Sequence, residues 1–431
     1  MPPRIEDYAL IGDCKSAALV SQGGSIDWLC WPRFDSGACF AALLGTPENG
    51  RWLIAPLDDD ARITRRYRPN TLILETQFET ADGVATLIDF MPFRSDHSEI
   101  VRIIVGVRGK VKMHAEIIMR FDYGAIVPWV TRLEDGTWRA IAGPDMATLR
   151  TPVRVTGKDM KSIGEFTITR GETIPFVLTY ARSHRNPPEP VNSSASLEAT
   201  EKFWNEWSAK CRPAGEWSDA VRRSMITLKA LTYAPTGGIA AAATTSLPEK
   251  IGGTRNWDYR YCWLRDATGT LLGAMHAGYY EEAQAWRDWL LRAVAGSPDQ
   301  LQIMYGIGGE RRLTEWEVPW LPGYENSAPV RIGNAAHTQL QLDVYGEIMD
   351  VHHQARRGGL STSKSGWGTQ IAFLGHLANI WQQPDQGIWE MRGPAQHFTY
   401  SKAMAWVAFD RCIKSAETFG LEGPLLSLIH I

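Results

Sequence analysis

Between about residues 20 and 185, apolar and polar positions follow a period near two. The segments TLILETQFET (71–80), GVATLIDF (83–90), IVRIIVGV (100–107), KVKMHAEIIMRF (110–121) and EFTITRGETIPFVLTYA (165–181) are short and rich in β-branched residues. That pattern marks strands. Turn signals part them, among them Ala81-Asp82-Gly83 and Glu134-Asp135-Gly136. Many short strands at regular spacing predict an antiparallel β-sandwich over residues 1–190. IVRIIVGV, apolar on both faces, fits a place where sheets stack.

After Pro187-Pro188-Glu189-Pro190 the period lengthens towards 3.6. SLEATEKFWNEWSAK (196–210) reads as a connecting helix opened by a Ser cap, with Glu198 and Thr200 in its first turn, inside a linker of residues 191–215. From 216 onward six segments show helical spacing. They are EWSDAVRRSMITLKALTYA, RDATGTLLGAMHAG, YYEEAQAWRDWLLRAVAG, NAAHTQLQLDVYGEIMDVHHQARR, GWGTQIAFLGHLANIWQQP and YSKAMAWVAFDRCIKSAETFG. The loops between them are long and rich in Gly, Trp, Arg and Glu. Long loops in a compact helical domain commonly carry function.

Composition narrows the class. Hydrophobic residues make up 44% and charged residues 22% of the 431 positions, as in a soluble globular protein of two or three domains. A net charge of −3 and the lack of basic runs offer nothing to nucleic acid. No apolar stretch approaches the roughly 20 residues that span a bilayer, and MPPRIEDYAL has no signal-peptide pattern. Six scattered cysteines without CxxC spacing read as reduced thiols, so the expected location is the cytoplasm. Eighteen tryptophans are unusual. Sugar enzymes use indoles for ring stacking, and large helical cores use them too.

Candidate chemistry falls in three loops that precede helices: NWDYRYCWLRDAT (256–268), YENSAPVRIGNAA (324–336) and DQGIWEMRGPAQHFTYSK (385–402). The first mixes four aromatics with two arginines and two aspartates. It reads either as a sugar cleft, with rings for stacking and charged forks for hydroxyls, or as a packing segment with two internal ion pairs. In the third, Glu390 follows Trp389. A carboxyl against an apolar ring loses solvation when ionised, which raises its pKa as a general acid requires. The alternative is a loop ion pair between Glu390 and Arg392. Three other features read as structural. Tyr305-Gly-Ile-Gly-Gly-Glu310 lacks the lysine of a phosphate loop. His352 and His353, near Asp350, point to different faces of a helix and read as solvated rather than metal-binding. Asp343 and Glu347, four apart, have a surface or structural default.

The motifs IEDYALIGD (5–13), SIDWLCWPRFDS (25–36), RNWDYRYCWLRD, PVRIGNAA, QLDVYGE, GIWEMR and HFTYSK together resemble the bacterial and archaeal branch of glycoside hydrolase family 15, the glucoamylases and glucoamylase-like trehalases. The resemblance covers nearly the whole chain. It implies an N-terminal β-sandwich, a linker helix and an (α/α)6 barrel that hydrolyses an α-glucosidic bond with inversion through two glutamates. It also implies that Tyr259, Trp263, Arg265 and Asp266 grip the non-reducing glucose, with Trp389 beside it, and that Glu390 is the general acid. Arg331 matches a substrate-contacting arginine. Met391 stands where fungal relatives carry a second acidic residue.

An inverting enzyme needs a second carboxylate about 6.5–9.5 Å from the first to activate water. In that family it lies late in the barrel, and no matching segment is present. Six helices are read where the barrel has twelve, and LSLIHI (426–431) resembles the translated end of a sequencing adapter. The expectation is therefore a half barrel over 216–431, inactive by itself, with the base beyond residue 431. Glu310, Glu315, Glu317 and Glu325 are alternative bases, read by default as loop or rim residues. Three functions remain open: inverting hydrolysis of trehalose or of α-glucan ends, with trehalose favoured by the absent secretion signal; phosphorolysis with one glutamate and inorganic phosphate; and sugar binding without turnover. No metal or cofactor is required by this reading. Dependence on phosphate or Mg2+, and the oligomeric state, stay undetermined.

Overall fold

The computed structural model describes residues 3–93, 97–212, 215–361 and 363–423, so LSLIHI lies outside the described residues. The N-terminal half is an antiparallel sheet domain built around one strand, Ser98–Ile118. Its first part pairs with Gly83–Phe90 and Thr173–Arg182, and its second with Arg51–Pro56 and Lys161–Thr169. IVRIIVGV and KVKMHAEIIMRF, read from sequence as two strands, are thus one. Gly106 and Gly109 explain the continuity. A side chain at Gly106 would sit 1.9 Å from the carbonyl oxygen of Thr169, and Gly109 takes φ +58°, so the strand turns there without breaking its ladder.

A single core draws on both ladders, with Ile26, Trp52 and Ile54 from one, Leu74, Phe78 and Leu87 from the other, and Ile100, Ile104 and Met113 from the shared strand. IVRIIVGV is not apolar throughout this core. Arg102 is fully buried, paired with Asp89 at 2.7 Å, and donates to the carbonyls of Trp52 and Gly24. A buried guanidinium requires such complete pairing.

The second half is helical. The connecting helix α1 spans Ser193–Ser208; then come α2 (Ser218–Ala230), α3 (Leu264–His276), α4 (Tyr280–Ala293), α5 (Asp343–Arg357), α6 (Lys364–Ile380) and α7 (Thr399–Phe419). Helix α1 starts before residue 196, because the Asn192 side chain, not a serine, accepts from the N–H groups of Ser194 and Ala195. Its Trp207 stacks on Tyr279 with ring centroids 4.1 Å apart, which seats it at the α3–α4 turn. Helix α5 begins at Asp343 rather than at 334. Asn334 caps a short 3-10 turn, and Leu340 instead exchanges bonds with Gln386.

α5 packs against α3, α6 and α7, so the solvated reading of His352 and His353 is wrong. Both are buried, and the Nδ1 of His353 lies 2.9 Å from the Ser415 hydroxyl. Asp343 and Glu347 are buried too. All six cysteines are unpaired, and no helix among the described residues is long and apolar enough to cross a membrane.

The halves are joined through polar groups as well as packing. Trp28 donates to the carbonyl of Ala243 at 2.8 Å, and Arg33 pairs with Glu310 at 2.8 Å. The loops that carry the candidate site hang from this junction and from the N-terminal ends of α3, α5 and α7.

Candidate active site

The segment NWDYRYCWLRDAT contains both ion pairs that a packing segment would need, but they lie in different environments. Asp258 and Arg260 are wholly buried and meet at 2.7 Å. Arg260 also donates to the carbonyl of Ser36 and to the Tyr123 hydroxyl, both in the sheet domain and both at 2.8 Å. This pair fastens the two halves together. The strand Cys262–Trp263 then pairs with Met304–Tyr305 and leads into α3. Arg265 and Asp266, in the first turn of α3, remain partly open to solvent and meet at 2.9 Å.

Glu390 comes to this turn from 125 residues further along the chain. Its Oε1 accepts from the indole N–H of Trp263 and from Nη1 of Arg265, each at 3.1 Å. Arg265 Nη1 also donates to the carbonyl of Ile388. The tilted rings of Tyr259 and Trp263 lie with centroids 5.4 Å apart. Tyr259, Trp263, Arg265, Asp266 and Glu390 therefore form one linked group. Burial pushes the Glu390 pKa upward; the Arg265 charge and the two hydrogen bonds pull the other way without cancelling it. The indole that contacts its carboxyl is Trp263, not Trp389. The Trp389 ring is 68% exposed and carries the Arg265 guanidinium 5.4 Å from its centroid.

A cavity of about 370 Å³ opens beside Glu390, lined by Glu249, Arg255, Trp257, Tyr259, Trp263, Asn334, Trp389 and Arg392. That size and its mixture of rings with a few polar groups suit a small polar ligand. Glu249, Arg255, Trp257 and Asn334 carried no role in the sequence reading. Asn334 had only its place in the PVRIGNAA motif as a signal, and Trp257 its place in the aromatic run.

Arg392 does not pair with Glu390. It binds Glu315 at 2.9 Å and the Asn334 amide oxygen at 3.1 Å. The guanidinium of Arg392 lies 4.3 Å, and that of Arg331 4.6 Å, from the centre of the Trp257 ring. Arg331 pairs with Glu317 at 3.4 Å and does not line the cavity, so it meets it only through Trp257. Arg265 and Asp266 reach it only through Glu390 and Trp389, and neither they nor Glu310, Glu315, Glu317 and Glu325 line it. Glu310 is held by Arg33, which keeps its carboxyl below the ordinary range despite partial burial.

Within reach of the Arg265 charge lie two carboxyls on α5, Asp343 and Glu347, whose sequence pattern reads as surface or structure. Glu347 accepts from the Tyr400 hydroxyl at 2.8 Å, and burial raises its pKa. Asp343, one turn earlier on α5, is 1% exposed, and among the described residues no other residue donates a hydrogen bond to its carboxyl. Burial first, then the charges of Glu347 and Asp385, push its pKa up to about 7. A pair of carboxylates four apart among Val344, Tyr345, Ile348 and Met349 was the available signal. Among the described residues, no group of three or more His, Cys, Asp or Glu side chains could hold a metal ion.

Known proteins share this arrangement of domains. A trehalase-like N-terminal domain matches residues 1–193, and the domain of glycosyl hydrolases family 15 matches residues 215–427. The trehalase of Mycolicibacterium smegmatis is 35% identical across 97% of this chain and 67% of its own length. Trehalase 1 of Sulfolobus acidocaldarius is 34% identical across 95% of this chain and 71% of its own. The chain thus spans about two thirds of the length of the curated relatives it matches. A bacterial glucoamylase solved with acarbose shares the fold, with a TM-score of 0.67 at 12% identity, covering 100% of this chain and 65% of that one. By these matches the chain belongs to glycosyl hydrolase family 15.

Proposed function

We propose that this chain carries the sugar pocket and the general acid of an α-glucoside hydrolase whose substrate is trehalose. The observation that carries the reading is the state of Glu390: a carboxyl at the cavity wall, lifted in pKa by burial, with one oxygen held by Trp263 and Arg265. A carboxyl whose burial favours its protonated form can donate that proton to the glycosidic oxygen as the C1–O bond breaks. Arg265 and Asp266 take the hydroxyls of the terminal glucose, and Tyr259, Trp263 and Trp389 wall the ring. Arg331 acts through its stack on Trp257.

Hydrolysis with inversion also needs a carboxylate to activate water on the opposite face of the sugar. Glu249 lines the cavity but is bound by Arg255 at 2.7 Å. Glu310, Glu315 and Glu317 do not line it and are held in ion pairs, Glu315 with the cavity residue Arg392. The chain spans about two thirds of its relatives' length, and we assign the base to the part of the family's barrel that those relatives carry besides, with α2–α7 as part of an (α/α)6 toroid. Trehalose is favoured over α-glucan ends because the curated relatives at 30–35% identity are named trehalases. The test is product analysis on this chain joined to a complete C-terminal half of the family's barrel, with trehalose and with maltose, each with and without inorganic phosphate. Free glucose from trehalose supports the reading; glucose 1-phosphate, formed only with phosphate, would replace it with phosphorolysis.

A further inference from the structure

We propose that Asp385 is a positioning residue for Glu390, resting on the reading of Glu390 as general acid. Asp385 is 1% exposed and, among the described residues, makes no ion pair with a side chain. Its carboxylate is held by backbone donors from two separate segments. Oδ2 accepts from the N–H of Leu342, the residue before α5, at 2.9 Å; Oδ1 accepts from the N–H of Gly387 at 3.2 Å. The positive end of the α5 dipole favours the negative charge there. Its main chain is clamped as well, exchanging bonds of 2.9 and 2.8 Å with Gln396. Next to it, Gln386 donates to the carbonyl of Leu340 at 3.1 Å and accepts from the N–H of Leu340 through its side chain at 3.1 Å.

The loop needs such holding. Gly387 has φ +68° and Glu390 φ +48°, so the acid itself sits in the left-handed region that side chains disfavour. The turn between them is closed by bonds from Glu390 N to Gly387 O, at 3.2 Å, and from Met391 N to Gln386 O, at 3.1 Å. Displacing Asp385 releases Gly387, the first residue of that turn, and the displacement is passed on to Glu390. Proton delivery to a glycosidic oxygen tolerates little error in position, whereas Trp263 and Asp266, held by α3 and the strand before it, keep their places in the sugar site.

In the chain joined to a complete C-terminal half of the barrel, the test compares trehalose with α-D-glucosyl fluoride, whose leaving group departs without protonation. Glu390→Gln serves as reference, and Asp385→Asn and Asp385→Ser are the variants, each checked for an intact thermal transition. The expected result for both Asp385 variants is a kcat on trehalose lowered at least tenfold with KM within about threefold, and a much smaller loss on the fluoride. Equal losses on the two substrates, or none on either, would overturn the proposal, since a purely structural role lowers both alike. Should Glu390→Gln itself show no selective loss on trehalose, the acid assignment falls, and the role of Asp385 with it. If one Asp385 variant does not fold, the other decides.

Discussion

The indole nitrogen of Trp263 stands 3.1 Å from Oε1 of Glu390 across 127 residues of sequence. Trp263 is anchored by its strand pairing with Met304 and is 2% exposed, so its N–H has a defined direction. A buried donor aimed at one carboxyl oxygen leaves the other free to carry the proton.

The two arginines of the 256–268 segment should separate stability from activity. Arg260→Met removes one half of a wholly buried pair and leaves Asp258 uncompensated, which costs about 3–5 kcal/mol. Its effect should appear in denaturant unfolding. Arg265→Lys keeps the charge but loses the fork that reaches Asp266 and Glu390 together. Unfolding should barely change while kcat/KM falls about 10- to 100-fold, the worth of a charged hydrogen bond of about 1.5–3 kcal/mol. Steady-state kinetics and urea melts on both variants check this.

Asp343 should make stability depend on pH. Its folded pKa, about 7, lies above the ordinary carboxylate value because burial disfavours the charge. The folded state thus holds a proton that the unfolded state releases, so the contribution is fully present below about pH 4 and is lost as pH rises through about 7. Asp343→Asn removes the titration. Relative to the unmodified protein, the variant should gain stability at pH 8 over pH 5, on the order of a few kcal/mol. Thermal melts at the two pH values measure it; a difference that does not change with pH would contradict this account of Asp343.

Much of the fold was legible because hydrophobic period tracks element type: the strands before residue 187 and the six helices after 216 were read from spacing alone. Helix starts were less legible: α1 opens at the Asn192 cap, a local signal earlier than the serine, and α5 opens only after the Leu340–Gln386 exchange, which no local pattern encodes. The same limit hid the shared strand, where Gly106 and Gly109 look like a turn until the neighbouring ladders are known. In the site, Tyr259, Trp263, Arg265, Asp266 and Glu390 were named through the family's motifs, and their residue types agree with sugar chemistry. What spacing cannot give is partner choice. Arg392, two residues from Glu390, binds Glu315, while Glu390 reaches back to Arg265. The Asp385-Gln-Gly387 sequence did hold a local signal, an aspartate placed to accept from the N–H two residues on.

Raised pKa at Glu390 sets the sign of its pH dependence. The proton-donating form is lost as pH climbs through that value, so kcat/KM on trehalose should fall on the alkaline side. Because the Arg265 charge opposes the rise, Arg265→Gln should move the alkaline limb to higher pH. A pH–rate profile of both proteins reads the shift.

Inversion predicts the anomer released. Proton NMR during the first minutes of trehalose cleavage should show β-glucose from the attacked ring ahead of mutarotation. Initial release of α-glucose alone would point to retention and to a covalent intermediate.

The central claim is that Glu390 donates the proton, and its most direct test is Glu390→Gln in the active protein. The amide keeps the shape and can still accept from Trp263 and Arg265, but it has no transferable proton. Turnover of trehalose should fall by about 10²–10⁴, while sugar binding, followed by tryptophan fluorescence, changes little. Full turnover in Glu390→Gln would contradict the account and leave Glu390 a structural partner of Arg265.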